Sequence, residues 1–144
     1  MEGGFSMIYW FTGQPGAGKT TLAYELKNRI GGIQIDSDDV RKSCGEWDYS
    51  EKGRREYIPF IQNIADEIEC WNVDVFVSMV APYRDLREGF KAGGGVTEIY
   101  LHTSEIRGRE NFFIENYEPP LENFIDIDTS KSIEECIDTI LAKI

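Results

Sequence analysis

Gly13-Gln14-Pro15-Gly16-Ala17-Gly18-Lys19-Thr20 is the stretch on which the reading of this chain turns. It matches G-x-x-x-x-G-K-[ST], and its surroundings give the match physical meaning. Upstream, Met7 to Phe11 is a short apolar run of the kind that forms a strand buried on both faces. Downstream, Lys19 to Ile30 reads as a helix closed by Gly31 and Gly32. Glycines at the turn let successive backbone N–H groups point inward around phosphate oxygens, and the helix start adds the positive end of its dipole. Gly13 through Thr21 are therefore the expected nucleotide-binding residues. Lys19 is expected to reach the β- and γ-phosphates of ATP, and Thr20 to offer its hydroxyl to Mg²⁺. A dinucleotide fingerprint fails, because Gly16-Ala-Gly18-Lys19-Thr20-Thr21 lacks the last small residue.

Working outward, Ile33 to Ile35 forms a second strand ending at Asp36. A long helix is expected after Ser50, with Ile58, Ile61, Ile64, Ala65, Ile68 and Trp71 on one face and Pro59 near its start. Val73 to Met79 suits a central parallel strand, Tyr83 to Lys91 a short helix, and Val96–Leu101 and Phe124–Ile127 two further strands. Ser132-Ile-Glu-Glu135 matches a capping box ahead of a final helix, whose stripe is Ile133, Cys136, Ile137, Ile140, Leu141 and Ile144. Five strands alternating with helices predict an α/β fold: a mostly parallel five-stranded sheet in three layers, with ligands beyond the carboxyl ends of the strands. The 144 residues suit one domain over 1–144, with an irregular polar and aromatic segment at about 102–117.

A net charge of −11 argues against nucleic-acid or anionic-membrane binding, which needs clustered cations. Yet seven of the eight arginines, Arg41, Arg54, Arg55, Arg84, Arg87, Arg107 and Arg109, fall in segments expected around one rim, which implies a local anion site. The three cysteines are widely spaced, and with one histidine they suggest neither a disulfide framework nor a zinc site. The start, MEGGFSMIYWF, has no basic leader pattern, and no apolar run approaches membrane-spanning length, so cytoplasm is the expected location. His102 and the three tryptophans read as structural.

Asp36, Asp38 and Asp39 follow the second strand, where a carboxylate can orient or deprotonate an attacking hydroxyl or hold Mg²⁺. Ser37, Asp38 and Asp39 would also suit a helix N-cap, the alternative role for Asp38, and Asp36 is the better candidate acid.

Phe11-Thr-Gly-Gln-Pro-Gly-Ala-Gly-Lys-Thr-Thr-Leu-Ala23, Asp36-Ser-Asp-Asp-Val-Arg41, Ala81-Pro-Tyr-Arg84 and Tyr117-Glu-Pro-Pro120 together resemble the adenylylsulfate kinases, a family of P-loop kinases. The resemblance runs from residue 8 to about 129. It implies transfer of phosphate from MgATP to the ribose 3′-hydroxyl of adenylylsulfate, with Asp36, Asp38 and Lys19 catalytic and Thr20 and Asp36 at the metal. Arg41 and Arg54 would bind the acceptor's phosphosulfate, Tyr49 would pack on its adenine, and Pro82, Tyr83 and Arg84 would line its pocket. Arg107 or Arg109 would contact ATP, Phe112 or Phe113 the acceptor's base, and a homodimer is possible, since members often pair.

The match has gaps. Pro15 replaces the usual serine, Ser37 a glycine, Tyr57 an acceptor-binding asparagine, and Pro59 and Phe60 two arginines. The lid, about 102–117, is shortened, and a shorter lid should exclude water less well and lower turnover. Two other readings stay open: a P-loop kinase for another small anionic acceptor, and a nucleotide-binding module without catalysis.

Overall fold

The computed structural model describes residues 6–144. Residues 1–5, with that part of the expected domain and the reading of the leader, lie outside the described residues. In chain order the elements are β1 (Ile8–Thr12), α1 (Lys19–Ile30), β2 (Ile33–Asp36), α2 (Ser37–Cys44), α3 (Glu51–Glu69), β3 (Val75–Ser78), α4 (Arg84–Ala92), β4 (Val96–His102), β5 (Phe124–Asp128) and α5 (Ile133–Leu141). A single 3₁₀ turn, Glu110–Phe112, interrupts the segment between β4 and β5.

The sheet has the order β2-β3-β1-β4-β5, and every pairing is parallel. β1 is buried along its whole length, and its alternate side chains feed two cores. Tyr9 and Phe11 pack with Leu22, Leu26, Ile137 and Ile140 beneath α1 and α5. Ile8 and Trp10 pack with Ile58, Ile61 and Ala65 of α3 on the opposite face. Each fully buried large apolar side chain contributes about 1.5–3 kcal/mol, so this strand anchors both layers. The three-layer parallel architecture expected from the strand and helix pattern is the one observed.

Several local expectations are corrected. α2 is a helix that hydrophobic periodicity does not reveal, because over its length only Ser37 and Arg41 are buried. Its start is stabilised instead by Asp36, whose side chain accepts from the Asp38 amide, and by Asp38 and Asp39 in its first turn. The capping role open for Asp38 thus belongs to Asp36. α3 starts at the Ser50 cap as expected and runs through Pro59. Trp71, however, falls beyond its end, in a turn closed by Asn72 at φ 63°, and is exposed. Ile133 and Ile144 are also exposed, since they sit at and past the two ends of α5. His102, expected to be structural, has its Nε2 3.0 Å from Asp126 Oδ2 on the neighbouring strand.

No described helix is long and apolar enough to cross a membrane.

Candidate active site

Three strands deliver the site at their carboxyl ends. β1 ends at Thr12 and turns through the glycine-rich loop into α1, β2 ends at Asp36, and β3 ends at Ser78. Because β3 is inserted between β1 and β2, Ser78 stands in register with both Phe11 and Asp36. A cavity of about 990 Å³ opens there, lined by the loop and α1 start (Pro15, Gly16, Gly18, Lys19, Thr20, Thr21), by Asp36 and Asp38, and by Arg41, Arg54, Arg107 and Arg109.

The loop has the geometry its glycines predict. Gly16 (φ 84°) and Gly18 (φ 101°) occupy the left-handed region that disfavours other residues. Gly13 additionally cannot carry a Cβ, which would meet the Leu101 carbonyl oxygen at 2.4 Å. Lys19 Nζ folds back to donate to the Gln14 carbonyl at 2.9 Å. Burial pushes its ammonium down to about 8, Arg109 adds repulsion, and Asp38 and Asp36 only partly offset both. An incompletely compensated cation at a helix start is suited to a polyphosphate.

Asp36 is the better placed of the two acids. Its Oδ1 accepts from the Asp38 amide at 3.3 Å and from Ser78 Oγ at 3.4 Å. Oδ2 has no hydrogen-bond partner among the described residues. Burial raises its carboxyl above the ordinary range, with the neighbouring Asp38 and Asp39 charges adding to the rise and the two hydrogen bonds opposing it. A carboxylate so placed is a stronger base than an exposed one. Asp38 lines the same cavity but is exposed. Thr20 and Asp36 line both this cavity and a smaller cleft beside it, so one position faces a hydroxyl and a carboxylate together. Among the described residues no group of three or more His, Cys, Asp or Glu is arranged to hold a metal ion. The Thr20 hydroxyl and the Asp36 carboxylate are hard oxygen donors, which fit Mg²⁺, commonly held by one or two protein groups plus substrate phosphates.

The arginines divide into two kinds. Arg41 is only 5% exposed, yet its side chain's sole hydrogen bond among the described residues is a long one, 3.4 Å, to the Glu46 carbonyl. Its guanidinium lies 4.2 Å from the Tyr49 ring centre and 4.0 Å from that of Tyr57. Arg54 also lines the cavity, with no acid within salt-bridge distance among the described residues. Arg109 likewise has no acid partner among them and stands over Phe112. The expectation of seven arginines on one rim does not hold, because the others are consumed elsewhere. Arg55 pairs with Glu51 and Asp85. Arg87 is buried against Glu98 at 2.7 Å, donating as well to the carbonyls of Ala81 and Glu118. Arg84 donates to the Pro119 carbonyl, and Tyr83 packs beneath Arg55, so neither joins Pro82 in lining the cavity.

The lid segment is pinned to the phosphate loop. The Gln14 side chain donates to the Ile114 carbonyl at 2.9 Å and accepts from its amide at 2.8 Å, imitating a strand pairing. Arg107, while lining the cavity, donates to the Gly16 carbonyl at 3.1 Å and to Thr129 Oγ1 at 3.2 Å, so it braces the loop. Thr129 Oγ1 in turn donates to the Ala17 carbonyl at 2.7 Å. Sequence reasoning missed Ser78, Thr129 and Trp47, the last lining the cavity while 59% exposed. Only Trp47 left a trace in the sequence, as a large aromatic in a polar stretch.

The family model described as adenylylsulphate kinase matches residues 5–111. The chain belongs to the adenylylsulphate kinase family. Adenylyl-sulfate kinase of Chloroflexus aurantiacus is 31% identical over 94% of this chain and 87% of its own. That of Vibrio cholerae is 33% identical over 67% of this chain, and the match spans about half, 49%, of the relative. Among solved structures, Mycobacterium tuberculosis APS kinase CysC, in complex with AMPPNP and APS, superposes with a TM-score of 0.80 at 19% identity, covering 97% of this chain and 98% of that one. That likeness fixes the P-loop kinase fold, as the strand order and phosphate loop also require. As an adenylylsulphate kinase family member, the chain is built as an ATP-dependent phosphotransferase.

Proposed function

We propose that this chain transfers the γ-phosphoryl group of MgATP to the 3′-hydroxyl of adenylylsulfate. The observation that carries the reading is the content of one cavity: a phosphate-gripping loop, a carboxylate with one oxygen free among the described residues, and a buried guanidinium without a counter-acid among them. The loop amides and Lys19 hold the β- and γ-phosphates, and Arg109 faces the same region. Thr20 and Asp36 would hold Mg²⁺, which when bound neutralises charge on the transferring phosphoryl group. Arg41 and Arg54 take the phosphosulfate of the acceptor, a planar guanidinium matching its oxygens. Tyr49, with one face on Arg41, offers the other to the adenine, and Phe112 closes from the lid.

Asp36 accepts the proton of the 3′-hydroxyl as that oxygen bonds to the γ-phosphorus. The bond from the γ-phosphorus to the β–γ bridging oxygen breaks, ADP leaves, and the proton passes from Asp36 to solvent. The chemistry is mostly positioning, which is why a stiff loop and a pinned lid serve it.

A coupled assay with MgATP and adenylylsulfate tests this, and acceptor-dependent ADP release is expected. Asp36→Asn is expected to lower release by about 10²–10⁴-fold while MgATP affinity stays within severalfold. Release with a different anionic acceptor only would overturn the substrate. Retained MgATP binding with no acceptor-dependent release would overturn catalysis.

A further inference from the structure

Two of the departures from the family pattern, Tyr57 and Phe60, pack against each other rather than standing as scattered losses. Tyr57 is 4% exposed and does not line the cavity. Its ring meets Phe60 at 6.0 Å between centroids and covers one face of the Arg41 guanidinium at 4.0 Å. Its hydroxyl donates to the Ser37 carbonyl at 2.6 Å. Ser37 is the first residue of α2 and follows Asp36 directly. One side chain of α3 thus touches both the Arg41 guanidinium and the backbone carbonyl one residue past Asp36.

We propose that Tyr57 is a positioning residue for phosphoryl transfer, its ring aiming the Arg41 guanidinium at the acceptor's anionic end and its hydroxyl fixing the chain beside Asp36. The inference rests on the proposed reading of Arg41 and Asp36 above. Three features support it.

First, Arg41 needs such a support. A long side chain with only one long hydrogen bond and no acid partner among the described residues would otherwise sample several rotamers, and its ordering would be charged against acceptor binding. Held between the Tyr57 and Tyr49 rings, the guanidinium keeps its plane while its donors stay available. Second, the aromatic clamp orients the cation without neutralising it, whereas a carboxylate in the same place would compete with the acceptor. Third, the hydroxyl is a permanent donor: burial pushes the Tyr57 phenol up to about 12, so the bond to Ser37 persists across the working pH range. The position where the family pattern has an acceptor-binding asparagine has moved from contacting the acceptor to holding the residue that does.

The two functions of Tyr57 separate by substitution. In the adenylylsulfate assay, Tyr57→Phe keeps the ring and loses the hydroxyl; kcat is expected to fall about fivefold, as loss of one hydrogen bond would give, with the acceptor KM within twofold. Tyr57→Leu removes the ring and is expected to raise the acceptor KM about tenfold, leaving the KM for MgATP unchanged. A merely structural role would lower thermal stability in both without a selective change in acceptor KM. An acceptor KM within twofold of wild type in Tyr57→Leu would overturn the proposal, as would a parallel rise in the KM for MgATP.

A second measurement needs no turnover. In ¹⁵N-arginine-labelled protein, the Arg41 Nε–H resonance, assigned by its loss in Arg41→Lys, is expected upfield because two ring faces shield it. Tyr57→Leu should move it downfield and weaken inorganic sulfate, titrated on that resonance, about tenfold. Equal sulfate affinity in the two proteins would overturn the proposal. If adenylylsulfate is not phosphorylated by the wild type, the functional reading fails, while the sulfate titration still decides whether Tyr57 aims Arg41.

Discussion

Nucleotide binding by this protein should take up a proton at mildly alkaline pH. In the nucleotide-free site the Lys19 ammonium is held down at about 8, mainly by burial, with Arg109 adding repulsion and Asp38 and Asp36 opposing. A polyphosphate brought against Nζ supplies the missing negative charge and restores the ordinary alkaline pKa. The free site therefore holds fewer protons than the bound site wherever pH is near or above 8. With a free-state value of about 8, about 0.1 proton is taken up at pH 7, about 0.5 at pH 8 and about 0.9 at pH 9. Apparent affinity for MgADP then falls about fivefold between pH 8 and pH 9. Isothermal titration calorimetry in two buffers of different ionisation enthalpy at each pH reads the uptake, and Lys19→Met should abolish it. Buffer-independent heats for the wild type at pH 9, with binding intact, would refute the argument that Lys19 is a desolvated cation awaiting phosphate.

Two further outcomes follow from the same geometry. The acid limb of kcat/KM for MgATP, which reports the nucleotide-free enzyme, should be displaced upward from an ordinary aspartate's, because transfer needs Asp36 ionised and burial raises its carboxyl in that state; Ser78→Ala removes a hydrogen bond that lowers it, so a pH–rate profile should show that limb moving further up. Gln14→Ala removes both bonds to Ile114, each worth about 1 kcal/mol; hydrogen exchange at the Ile114 amide should speed up about tenfold or more, and unchanged protection would mean that the lid is held by other contacts.

The phosphate loop was legible in the sequence because its function is local. Gly13 to Thr20 are contiguous, the constraint is on backbone dihedrals, and flanking periodicity shows strand before and helix after. The parallel sheet was legible for a related reason, since β1 and β3 need apolar residues on both faces and therefore read as unbroken runs. α2 was not, because a short helix at a site mouth, holding Asp36 and Arg41 in place, buries too little apolar surface to leave a period.

What the chain of residues determined by itself was chemistry: which side chains can carry phosphate, proton or anion, and in what order the elements occur. Which arginines remain available was decided only by folding. Arg54 and Arg55 are neighbours of identical type, yet one faces the cavity and the other is spent on Glu51 and Asp85. Arg87, which shares their segment type, is buried against Glu98 from a strand that arrives later in the chain. Likewise Ser78 reaches Asp36 only because β3 inserts beside β2, and Tyr57 of α3 meets Arg41 of α2 only in the folded chain. A cation's function depends on which charges share its low-dielectric surroundings, and those neighbours are set by long-range packing, to which residue order alone is blind.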